Sequence, residues 1–148
     1  MRALALLLVL LPTLAACSGA DGPEEGAGSA EQVAQARDEA TAEWRAAVEA
    51  ELGTTTYDFD ALQQDAAVDC MRTSVADWTV ELALSGDTST SGLTRVGLEH
   101  ACDDVVAAFD EAVAAVEGAA DPLDLVCDPG VELSAATAPT AELACANR

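Results

Sequence analysis

From Val33 onward, apolar positions return at three- and four-residue steps through Ala36, Ala40, Trp44, Ala47, Val48 and Leu52, until Gly53. That spacing predicts an amphipathic helix closed by the glycine, and Ser29 followed by Gln32 is a capping-box pattern at its start. The turn-prone stretch TTTYDFD interrupts it. Asp60 with Gln63 then predicts the cap of a second helix, with Leu62, Ala66 and Cys70 on one side.

The next segment, SVADWTVELALSGD, carries two patterns at once. Trp78, Val80, Leu82 and Leu84 alternate as in a half-buried strand, whereas Ser74 and Asp77 make a Ser-x-x-Asp cap and place Val75, Trp78 and Leu82 on one helical face ending at Gly86. The cap favours helix, and a lone strand would have no partner to pair with. After the polar loop SGDTSTSG, a long helix is expected from about Leu93 to Glu117. Its apolar side holds Leu98, Cys102, Val105, Phe109, Val113 and Val116. Asp103, Asp104, Asp110, Glu111 and Glu117 lie roughly opposite. The remainder, rich in Pro, Ala and Thr, has too few large apolar residues to fold alone and is expected to wrap the helices as irregular chain. The fold class is therefore mainly α: a small bundle of about four helices with an irregular C-terminal segment.

Composition agrees with helix. The 148 residues make one domain's worth of chain, and alanine is the commonest residue within the 51% hydrophobic content, with only two Phe, two Trp and one Tyr. Trp44 and Trp78 are the expected core anchors. All six basic residues are arginine against 27 acids, a formal charge of −21, which excludes nucleic acid as a partner.

The N-terminus is of a different kind. Met1 and Arg2 give a minimal positive start. Ala3 to Ala16 form an apolar run, interrupted by Pro12, that is too short to span a hydrocarbon core of about 30 Å. Its end, Leu14-Ala15-Ala16-Cys17, resembles the lipobox of bacterial lipoproteins. The resemblance covers the first 17 residues. It implies that residues 1–16 are a cleaved signal peptide and that the Cys17 thiol is diacylglycerated and becomes the mature N-terminus. The chain would then be anchored to the cell membrane, facing its extracytoplasmic side. Stable anchoring follows from two or three acyl chains at about 0.8 kcal/mol per buried CH2. Residues 18–30, SGADGPEEGAGSA, lack periodicity and read as a flexible tether with a reach of about 20 Å. Residues 31–148 are then a single domain.

With Cys17 assigned to lipid, Cys70, Cys102, Cys127 and Cys145 remain, an even number that outside the cytoplasm reads as two disulfides. Three connectivities are possible. Cys70 and Cys102 lie on inward faces of two helices and Cys127 and Cys145 bracket the tail, which favours 70–102 with 127–145. Each closure is worth about 3 to 4 kcal/mol in the chain-entropy model.

Catalytic and metal chemistry find little support. His100 is the only histidine, no Gly-x-Ser-x-Gly elbow occurs, and disulfide formation leaves no nucleophilic thiol. No Cys-x-x-Cys pair is present, and His100 and Cys102 point about 200° apart on a helix. No cofactor and no metal ligand set is expected. His100 falls on the acidic face near Asp103 and Asp104, where a solvated histidine is the plain reading and a divalent-metal or pH-sensitive patch the sharper one. Asp58 and Asp60 lack the further ligands of a calcium loop and read as a helix start. The leading expectation is a noncatalytic interaction or accessory module that meets another envelope protein. The second is binding of a small solute or divalent cation, and an enzyme is the weakest.

Overall fold

In the computed structural model, residues 29–128 and 130–148 are described; the segment expected to be a signal peptide, Cys17, and all but the last residues of the expected tether lie outside them. Among the described residues the order is α1 (Ala30–Leu52), α2 (Phe59–Asp69), α3 (Val75–Ser85), α4 (Ser91–Ala101), a 3-10 turn (Asp103–Val105), α5 (Val106–Gly118), α6 (Asp124–Cys127) and α7 (Ala138–Ala146), with no strand. The chain is mainly helical, as its periodicity predicts. The count of about four helices is too low, because the long helix expected from Leu93 is broken and the tail is itself helical.

Local chemistry sets the helix ends. Ser29 Oγ accepts from the Gln32 backbone N–H at 3.3 Å while the Ser29 N–H donates to Gln32 Oε1 at 2.9 Å, completing the capping box of α1. Gly53 ends that helix at φ 65°, a left-handed conformation that glycine adopts without cost, and its N–H donates to the Glu49 carbonyl. The cap of α2 is Asp58 rather than Asp60: its carboxylate accepts from the Ala61 N–H at 3.0 Å. Starting there brings Phe59 inside the helix, where it packs edge-on against Trp44 with ring centroids 5.3 Å apart, and leaves Asp60 in the first turn, where a negative charge is favoured.

The Ser74 cap holds as expected, with its Oγ accepting from the Asp77 N–H at 3.1 Å, and residues 75–84 are helical. The strand-like alternation has a physical source. Helix α3 is buried at Asp77, Trp78, Thr79, Val80, Leu82 and Ala83, so burial covers most of its circumference and the 3.6-residue period of its apolar residues is masked.

The single helix expected from Leu93 to Glu117 is two helices. At Cys102 the backbone opens to φ −164°, ψ 74°, and the chain resumes through the 3-10 turn. The reason lies in the partners: α4 packs on α1 and α2, α5 packs mainly on α3, and the disulfide Cys70–Cys102 holds the joint with Cα atoms 5.9 Å apart. The apolar register survives the break, because Leu98, Val105, Phe109 and Val116 are all buried. The tail also departs from expectation. It forms α6 and α7, with Pro139 in the first turn of α7, and Cys127–Cys145 ties the two together. Val126 and Ala141 from these short helices join the main core. Small residues bind α2 to α4: a Cβ on Gly97 would stand 3.2 Å from the Ala66 Cβ.

A polar latch joins the tail to α3. The buried Asp77 carboxylate accepts from Ser74 Oγ and from Thr137 Oγ1, each at 2.8 Å. The neighbouring hydroxyls, that of Ser134 above all and then those of Thr137 and Ser74, outweigh burial and hold this carboxyl below the usual range. Asp77→Ala is expected to cost about 2 kcal/mol, because two hydroxyls lose a charged acceptor; urea denaturation reads it. The folded carboxyl has the lower pKa, so its stabilisation is complete above the unfolded value near 3.9 and is lost as pH falls through the depressed folded value. Asp77→Asn should therefore show a shallower loss of stability below about pH 4 than the parent chain.

Candidate functional site

Helices α1 to α4 leave a cleft between them of about 590 Å3, partly open to solvent. Each wall follows from helix spacing. Trp44 and Val48 come from one side of α1, Leu62, Asp65, Ala66 and Asp69 from α2, and Trp78, Glu81, Leu82 and Ser85 from α3 at steps of three and four. Leu93, Thr94 and Gly97 of α4 close the fourth side, and Phe109 of α5 also lines it.

Both tryptophans are walls of this cleft, and both indole Nε1–H groups are buried without a hydrogen-bond partner. An indole N–H is a donor only, so each stands in an apolar wall with its bonding capacity unmet. Their rings are held fast. Trp78, 2% exposed, meets Phe109 edge-on at 4.8 Å, and Trp44 is stacked by His100 at 5.8 Å with 11° between the planes.

The rim is charged. Arg72 follows α2 and reaches across to α3, pairing with Asp69 at 2.5 Å and with Glu81 at 3.1 Å, with its guanidinium carbon 5.3 Å from the centre of the Trp78 ring. Burial pushes the Asp69 carboxyl up from the ordinary carboxylate value. The Arg72 guanidinium opposes that shift, and the nearby Glu81 and Asp65 carboxylates add to it. At the other end, the Ser89 backbone N–H, 2.7 Å from Asp87 Oδ1, holds the Asp87 carboxyl below its usual range, and the Ser89 side chain adds to this. Thus four carboxylates, Asp65, Asp69, Glu81 and Asp87, face one guanidinium. Asp65 and Asp87 have no arginine at ion-pair distance among the described residues.

The residues singled out from sequence are placed as follows. Cys70–Cys102 and Cys127–Cys145 are the bonded pairs. Cys70 directly follows Asp69, so the first of them pins the end of α2 that carries the acidic rim. Trp44 and Trp78 are core anchors, and also cleft walls. His100 is exposed, as a surface histidine should be, yet its ring lies against Trp44 instead of standing free on an acidic face. Asp103 and Asp104 fall beyond the break, on the 3-10 turn. Among the described residues no group of three or more His, Cys, Asp or Glu side chains is arranged to hold a metal ion. Cys17 lies outside the described residues. No described helix is long and apolar enough to cross a membrane.

Sequence reasoning missed the cleft and the Asp69–Arg72–Glu81 group at its edge. A signal was present: Asp65 and Asp69 are one turn apart, as are Trp78 and Glu81, so each pair shares a helix face. Comparison with protein-family models, with curated proteins and with solved structures found no match.

Proposed function

We propose that this chain is a noncatalytic, lipid-anchored binding protein of the extracytoplasmic side of the cell membrane, taking a small solute in the cleft between α1 and α4. The observation that carries the reading is a cavity of about 590 Å3 walled by both tryptophans and by aliphatic side chains, with charged residues at its edge. That volume suits a small organic ligand. The anchor at Cys17 rests on the lipobox resemblance, and the noncatalytic reading rests on the lone His100 stacked on Trp44 and on four cysteines bonded in pairs.

The interaction-module reading keeps one observation of its own. Residues 31–40 of α1 are exposed on every side, Val33 among them, so about 15 Å of helix stands clear of the body. This stretch serves equally as a rigid spacer that lifts the cleft above the tether, and the cleft therefore gives the solute reading the stronger support.

Two measurements test it. Mass spectrometry of the N-terminal peptide from the membrane fraction is expected to find acylated Cys17; an unmodified Cys17 removes the anchor. Thermal denaturation across a panel of small solutes is expected to find one that stabilises the domain by about 2.7 kcal/mol at a hundredfold excess over its Kd. The effect should vanish in Thr94→Trp, which fills the cleft. Absence of any stabilising solute, with a protein partner cross-linked through residues 31–40, would favour the interaction module instead.

A further inference from the structure

The charge around the cleft restricts what can enter it. Its edge presents Asp65, Asp69, Glu81 and Asp87 against the single cation Arg72, and the whole chain carries a formal charge of −21. An anionic solute meets repulsion from every side except that of one guanidinium, which Asp69 and Glu81 already engage. A cation is drawn in.

Arg72 itself shows the geometry that a cation takes here. Its guanidinium sits between two carboxylates and 5.3 Å above the Trp78 ring, an arrangement that stabilises positive charge by ion pairing and by the ring's quadrupole together. The same cleft is lined by the apolar side chains of Leu62, Ala66, Leu82, Leu93 and Phe109. We propose that the cleft takes a small organic cation, an ammonium or guanidinium group on an apolar body, and that Arg72 fills the cation position when the ligand is absent. The proposal rests on the solute-binding reading and names its ligand class. Binding then exchanges one cation for another between Asp69 and Glu81, while the apolar body lies against the aromatic and aliphatic walls. Arg72 is a competitor of the ligand, so removing it strengthens binding.

The test uses the mature, acylated chain in a nonionic detergent and three probes that share a phenyl body: 2-phenylethylamine, 2-phenylethanol and phenylacetate. Calorimetric titration at low salt is expected to rank the amine first, on the order of tenfold over the alcohol, with the advantage fading as salt rises. Arg72→Ala tightens the amine several-fold, and Glu81→Gln, an exposed position whose loss leaves the core intact, weakens it. Preference for phenylacetate, abolished by Arg72→Ala, would overturn the proposal while leaving solute binding in place. Equal affinity for amine and alcohol, or no binding of any of the three, would overturn it too. In the last case a stabilising hit from the wider solute panel separates failure of the ligand class from failure of the binding function.

Discussion

Replacing Cys70 and Cys102 together by serine is expected to lower the free energy of unfolding by about 3 to 4 kcal/mol, because the bond closes a loop of 32 residues in the unfolded chain. Against a total of about 5–15 kcal/mol for a domain, that is a large fraction. Urea denaturation of the purified variant measures it, and a loss under about 1 kcal/mol would show that α2 and α4 hold their joint without the bond. The functional consequence is local. Cys70 caps α2 directly after Asp69, and Cys102 marks the break between α4 and α5, so the cleft edge loses its fixed end before the rest of the fold does. The Cys127–Cys145 bond closes 18 residues and supports only α6 and α7; its removal should cost less and leave ligand affinity nearly unchanged.

Phe109→Ala is expected to cost about 3–5 kcal/mol. The side chain is 1% exposed and meets Trp78 edge-on, within the larger of two clusters of buried side chains. Truncation removes part of the cleft wall, leaves a void there and frees the Trp78 ring, so the variant should bind solutes less tightly as well as melt earlier. Val33→Ala on the exposed part of α1 is the matching control, with an effect within about 0.5 kcal/mol. A small loss at Phe109 would mean that α3 and α5 repack around the gap.

Helix starts and stops were legible in the sequence wherever a short-range device fixes them. Ser29 with Gln32, Ser74 with Asp77, and the glycines at 53 and 86 act over one helical turn and need no tertiary partner. The end of α4 was not legible, because nothing local stops a helix at Cys102: the residues on either side keep an unbroken apolar stripe. The break comes from a disulfide partner 32 positions away and from two neighbours, α1 with α2 and then α3, that lie in different directions. Helices α6 and α7 escaped notice for a related reason. They are short, and each contributes one buried apolar residue, Val126 or Ala141, which is too little to register as periodicity.

The cleft divides in the same way. Its tryptophans were recognised as core anchors, which they are, but a sequence does not report that their N–H groups end up without acceptors. Arg72 was equally silent: its partners Asp69 and Glu81 sit on two different helices, and only the fold brings them to one edge.

The chain has two tryptophans, and both line the cleft, so their two indole resonances in a nitrogen–proton correlation spectrum report on its walls. Titration with 2-phenylethylamine, 2-phenylethanol and phenylacetate in turn is the most direct measurement. The account predicts that both resonances shift together and saturably, with the amine acting at the lowest concentration, while the amides of residues 31–40 stay in place. Indole signals unmoved by all three compounds, or shifts confined to residues 31–40, would contradict it.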